Sequence, residues 1–165
     1  LHQHSRLSDG RYAADAMWDK IGAPRVLDRN NWFKLMGECF KMMTVTFWAP
    51  HGARQSNHQD DFGSSKWQAQ IYGRKRWIMH PPEQSALLYN GLVDPFRPDL
   101  QRFPKYAEAT PLDFVLGPGE VVVWSAGWWH ATLALEDSLA IAQNLLNEHN
   151  YEEFRRTNHI SKMGC

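Results

Sequence analysis

The chain has 165 residues, and 18 Lys and Arg against 18 Asp and Glu leave it with a formal charge of zero. Hydrophobic residues are 43% and aromatics 13%; that excludes a disordered chain and suits one sizeable core rather than two domains. The balanced charge gives no global grip on nucleic acid or an anionic membrane, no apolar run approaches the roughly 18 residues of a membrane span, and Cys39 and Cys165 alone build neither a disulfide framework nor a structural zinc site.

No signal peptide is visible, so an intracellular location, nucleus or cytoplasm, is expected. Because Leu1 stands where Met would begin a full chain, the sequence reads as a fragment or a processed form.

In chain order, Ala13, Ala14, Ala16 and Met17 suit a short helix over 11–20, ended by Gly22 and Pro24. A second helix over 28–36 has Asp28 as its cap and Trp32, Phe33 and Leu35 to pack. From about residue 40 the pattern turns to strands: 43–48, 67–72, 74–80, 112–116, 120–124, 129–135 and 138–145, each rich in β-branched or aromatic residues or alternating in polarity. Pro50, Gly52, Gly73, Pro81-Pro82, Gly117-Pro118-Gly119, Gly127 and Glu136-Asp137 mark the turns. The stretch 83–106 holds one or two short helices, and the charged end over 148–158 is helical, with Phe154 docking on the rest. Seven or so short strands without strand–helix–strand alternation predict an all-β sandwich or jelly roll with a few flanking helices. The organisation is a helical and loop flank over 1–39, the β unit over 40–147 and a helical tail over 148–165.

Three sets of residues carry chemistry. His58-Gln59-Asp60 on extended chain puts an imidazole and a carboxylate on one face, two thirds of a 2-His-1-carboxylate facial triad. His130 follows the Gly127 turn and shares a strand face with the small residues Thr132 and Ala134, which leave space for a ligand. Lys75 shares a face with Trp77 and Met79, and an ammonium there needs an anion, such as the far carboxylate of a dicarboxylate co-substrate. Each has a blander reading: a chance H-x-D, a strand histidine in a plain core, and a solvated Arg74-Lys75-Arg76 run. Trp128 and Trp129 read as packing, Trp48, Trp67, Trp77 and Trp124 as core or rim aromatics. His2, His4, His51, His80, His149 and His159 read as surface or loop residues.

Taken together, His58 to Pro82, Leu116-Gly-Pro-Gly-Glu120, Gly127-Trp-Trp-His130 and Ala140-Ile-Ala-Gln-Asn144 resemble the JmjC family of Fe(II)- and 2-oxoglutarate-dependent oxygenases. The match, over about residues 43–147, is nearest the phosphatidylserine-receptor-like branch of lysyl hydroxylases and arginine demethylases. The resemblance implies a double-stranded β-helix, a cupin-like JmjC barrel. It implies that His58, Asp60 and His130 ligate Fe(II), that Lys75 binds the distal carboxylate of 2-oxoglutarate, and that Gln68 and Asn144 lie near the co-substrate. It also implies O2 as oxidant and hydroxylation, or N-demethylation through hydroxylation, of a side chain such as Lys or Arg.

The implied partner is a protein or peptide, histones and RNA-binding proteins among the candidates; nucleic acid and membrane are not indicated, and oligomeric state is open. Gln55 and Ala142 depart from the family, where Thr is usual at both places. The competing readings are a catalytically inactive JmjC-like binding module, which those departures favour, and a cupin that uses another metal without 2-oxoglutarate, which gives Lys75 no task.

Overall fold

The structure, a computed structural model, describes residues 16, 18 and 20–157, with the side chains of 38–43 outside the description. It contains eight strands: β1 (Thr44–Ala49), β2 (Arg54–His58), β3 (Ser65–Tyr72), β4 (Lys75–His80), β5 (Leu112–Leu116), β6 (Val121–Trp124), β7 (Trp129–Ala134) and β8 (Ser138–Leu145). They form two four-stranded sheets ordered β1-β8-β3-β6 and β2-β7-β4-β5. Every pairing is antiparallel, and the sheets face each other as the cupin-type jelly roll that the strand pattern predicts.

Seven strands fall where the sequence places them, within a residue or two at their ends. The eighth, β2, is Arg-Gln-Ser-Asn-His, which carries no apolar residue and so gives no strand signal. Its pairing with β7 is irregular: Gln55 lies opposite Thr132 and His58 opposite His130. Three steps on β2 against two on β7 make a bulge, which turns both Gln55 and His58 to the face that Thr132 and His130 occupy.

The β4 strand alternates as expected. Lys75, Trp77 and Met79 are buried between the sheets, where Trp77 meets Trp124 of the opposite sheet with ring centroids 5.4 Å apart. Arg76 points the other way, to Asp113 of β5 at 2.6 Å, and Arg74 pairs with Glu136. The corner from β3 to β4 requires glycine: Gly73 has φ +67, and a Cβ there would lie 2.1 Å from the Asp137 carbonyl oxygen.

Helix is scarce. The helix expected over 11–20 lies mostly outside the described residues; its end is visible in the Gly22 amide bonded to the Trp18 carbonyl. The helix expected over 28–36 is replaced by α1 (Arg25–Asp28), a turn, and a 3-10 segment over Trp32–Met43. Asp28 therefore ends a helix rather than capping one. Asn31 takes over instead: its Oδ1 accepts from the Phe33 and Leu146 amides, and its Nδ2 donates to the Asn144 carbonyl, which staples this segment to the end of β8. Only Phe33 of the three expected packing residues is fully buried; Leu35 is 86% exposed.

Two short 3-10 turns, Pro82–Gln84 and Pro104–Glu108, occupy the 83–106 stretch. The closing α2 (Tyr151–Thr157) docks through Phe154, which packs edge-on against Phe33 at 5.3 Å. No helix among the described residues is long and apolar enough to cross a membrane.

Candidate metal centre

His58 ends β2, and Asp60 follows on extended backbone (φ −72, ψ 147) that returns its side chain to the same side. His130 enters from β7, directly opposite His58 in register, with ring centroids 4.2 Å apart. One donor atom from each of these three residues lies within 4.8 Å of the others, the cluster of His, Cys, Asp and Glu among the described residues that could hold a metal ion. His58 Nε2 is 4.0 Å from Asp60 Oδ1, and His130 Nε2 is 3.7 Å from Asp60 Oδ2.

Backbone carbonyls set the state of both imidazoles. His58 Nδ1 is 2.8 Å from the Ser56 carbonyl and His130 Nδ1 is 3.2 Å from the Trp128 carbonyl, each two residues earlier. A carbonyl can only accept, so Nδ1 carries the proton in both rings and Nε2 presents a lone pair to the centre. Burial pushes the His130 imidazolium down to about 4, which keeps that ring neutral and able to donate to a metal.

Asp60 is held on both oxygens. Lys66 Nζ donates to Oδ1 at 3.0 Å, and the Trp124 indole donates to Oδ2 at 2.9 Å. Burial would raise the Asp60 carboxyl, but the Lys66 charge and the hydrogen bonds from Lys66 and Trp124 prevail and lower it. Gln55, across the β2 bulge, donates its amide to His58 Nε2 at 3.2 Å.

Beside the centre lies a cavity of ≈ 270 Å³ lined by Gln55, Thr132, Phe47, Ala134 and Lys75. Gln55 belongs to both, so the cavity adjoins the histidine pair. Lys75 is 5% exposed, with its Nζ 5.4 Å from the centroid of the Phe47 ring. Burial alone lowers the ammonium to about 8, and no carboxylate among the described residues pairs with it. The unpaired cation that the strand pattern predicts is therefore present and faces inward.

Of the remaining expected residues, Gln68 is buried on the inner face with its amide nitrogen unpartnered. Asn144 donates to the Ser64 hydroxyl at 2.7 Å and lies opposite Lys66 in register. Neither lines the Lys75 cavity. Trp48 is a rim residue at 69% exposure. Trp128 packs beside Trp77 and Met79, and Trp129 against Leu88 and Val93.

His80 corrects the surface reading: it is fully buried beside Tyr106, and burial pushes its imidazolium down to about 4. His51 and His149 are exposed, whereas His2, His4 and His159 lie outside the described residues. Sequence reasoning missed Lys66 and placed Trp124 only as packing. The period-2 argument used for Lys75 would have found Lys66, which alternates with Gln68 and Gln70 on the inner face of β3.

Comparison with known proteins agrees with the fold. The cupin-like domain family matches residues 15–154. The chain is 37% identical over 99 residues to the arginine-specific demethylase JMJ20 of Arabidopsis thaliana, covering 56% of this chain and 21% of that protein. It is 34% identical over 114 residues to the 2-oxoglutarate and iron-dependent oxygenase JMJD4 of Danio rerio, covering 64% and 27%. It is 30% identical over 127 residues to the HSPB1-associated protein 1 homolog of Danio rerio, covering 70% and 25%. The chain thus belongs to the cupin-like domain family, among its JmjC members. It spans only about a fifth to a quarter of the length of these curated relatives.

The residues present fit a divalent metal ion. Two neutral imidazoles with their Nε2 lone pairs inward and one ionised carboxylate are the donor set of mononuclear non-haem iron, and the backbone carbonyls behind each ring are the outer support such ligands use.

Proposed function

We propose that this chain is the catalytic unit of an Fe(II)- and 2-oxoglutarate-dependent oxygenase that hydroxylates a protein side chain such as Lys or Arg, or N-demethylates it through hydroxylation. His58, Asp60 and His130 would hold the iron, and Lys75 would take the distal carboxylate of 2-oxoglutarate. The carrying observation is the unpaired, buried Lys75 ammonium in a cavity that shares Gln55 with the His–Asp–His cluster. A dicarboxylic acid bound at the metal by one end would supply the missing counter-charge with the other. Two relatives carry matching names, an arginine-specific demethylase and a 2-oxoglutarate and iron-dependent oxygenase.

Iron, when bound, supplies O2 activation, with 2-oxoglutarate going to succinate and CO2 and the second oxygen atom entering a substrate C–H bond. The chain's own residues do the rest. The Ser56 and Trp128 carbonyls orient the two rings, Lys75 sets which way round the dicarboxylate lies, and Trp77 and Trp124 fill the lumen against water. Asn144 and Gln68 offer amides near the metal-binding end of the co-substrate. The unit proposed to act is residues 40–147, flanked by 1–39 and 148–165.

The test is succinate formation from 2-oxoglutarate with Fe(II) and ascorbate, with Lys- and Arg-containing peptides as substrates. Full turnover by Asp60→Ala sinks the assignment. The Gln55 amide against His58 Nε2 favours a second reading, a JmjC-like module that binds without turning over; metal and 2-oxoglutarate binding without succinate from any peptide would select it.

A further inference from the structure

The proposed reaction gives Lys66 no task and Trp124 only that of filling the lumen, yet both reach its only acidic ligand. They are direct register partners on β3 and β6, so their side chains leave the sheet together on its inner face. Each takes one oxygen of Asp60, Lys66 Nζ on Oδ1 and Trp124 Nε1 on Oδ2. The two donors are not equivalent. The indole is neutral and only orients the carboxylate. The ammonium also brings a charge, on a side chain that is 12% exposed and poorly screened by solvent.

The charge count at the centre is unusual as a result. The two imidazoles present neutral Nε2 atoms, so Asp60 is the only negative ligand, and Lys66 already balances it. A cation arriving between the three would meet a ligand set with no net charge and an ammonium one carboxylate away. Repulsion between Lys66 and that ion scales with the ion's charge, so a trivalent ion is disfavoured half as much again as a divalent one at the same place.

Resting on the metal-centre reading, we propose that Lys66 is a positioning residue that acts by charge: it fixes Asp60 through Oδ1 and lowers the affinity of the centre for cations in proportion to their charge, so that ferric iron is disfavoured relative to ferrous. A plain structural ion pair predicts the opposite sign. Removing such a pair would free Asp60 to move and weaken metal binding, whereas removing a repelling charge strengthens it.

The experiment measures Mn(II) affinity by calorimetry and electron paramagnetic resonance, and the Fe(III)/Fe(II) midpoint potential, for wild type, Lys66→Met, Lys66→Gln, Lys66→Arg and Trp124→Phe, with thermal unfolding confirming the fold of each. Lys66→Met binds Mn(II) at least about tenfold more tightly and shifts the potential downward. Lys66→Gln keeps a donor for Oδ1 and loses the charge, so it follows Lys66→Met and carries the test if the Met variant fails to fold. Lys66→Arg stays near wild type, and Trp124→Phe, which loses orientation alone, weakens binding. Unchanged or weaker binding by both neutral variants overturns the role of Lys66 while leaving the metal centre standing. No Mn(II) binding by wild type and every variant overturns both.

Discussion

His58 and His130 face each other as register partners across β2 and β7, and a main-chain carbonyl behind each ring turns the two Nε2 atoms toward Asp60. Among the described residues these three make up the cluster whose donor atoms converge, and the exposed His51 and His149 are not part of it. His58→Ala, Asp60→Ala and His130→Ala each lower Mn(II) affinity by at least about a hundredfold, beyond what losing an outer-shell partner costs. His51→Ala and His149→Ala leave it unchanged in the same calorimetric titration.

Lys75 is a cost to the fold, and on the proposed function an asset to the site. Its ammonium is lowered from 10.5 to about 8 by burial alone. At 1.36 kcal/mol per pKa unit that corresponds to as much as about 3 kcal/mol of destabilisation near neutral pH. Lys75→Met therefore raises the unfolding temperature by several degrees and abolishes 2-oxoglutarate binding. Lower stability together with intact ligand binding in that variant contradicts both halves.

The same group sets a pH dependence. The folded-state pKa lies below the unfolded one, so from about 8 to 10.5 the unfolded chain holds more protons than the folded chain, and stability increases with pH across that window. Affinity for 2-oxoglutarate moves the other way, falling above about 8 as the free protein loses the cation. Titrations of Mn(II)-loaded protein between those limits read this slope, and Lys75→Arg, which stays charged, removes it.

Gly73 is the hinge on which the phase of β4 depends. Its φ of +67 and the Asp137 carbonyl only 2.1 Å from a would-be Cβ leave no room for a side chain. Gly73→Ala destabilises by at least about 2 kcal/mol in urea unfolding. It also weakens 2-oxoglutarate binding, because Lys75 begins two residues later.

Much of the fold was legible because its strands announce themselves in two ways, by β-branched and aromatic runs and by Gly or Pro at their ends. The inward turn of Lys75 followed from parity alone, and the structure agrees with it in Arg76, which reaches outward to Asp113. The strand that carries His58 was not legible, since its five residues are all polar and hold their place chiefly through pairing with β7, with Asn57 alone fully buried. Asp28 misled as a cap because Asn31, three residues on, makes the long-range bonds to β8 that decide where the segment turns. The contact of Gln55 with His58 was equally hidden, because it depends on a two-against-three mismatch that neither strand records by itself.

That mismatch makes the centre sensitive to the length of β2 in a way that it is not to composition. Ser56 contributes its carbonyl to His58, a group every amino acid possesses, so side-chain replacement there is tolerable. Deleting that one residue would remove the bulge and the carbonyl that accepts from His58 Nδ1, although Gln55 and His58, then two apart, would still share the inner face. In descendants of this sequence, substitutions should accumulate between Gln55 and His58 while insertions and deletions are purged.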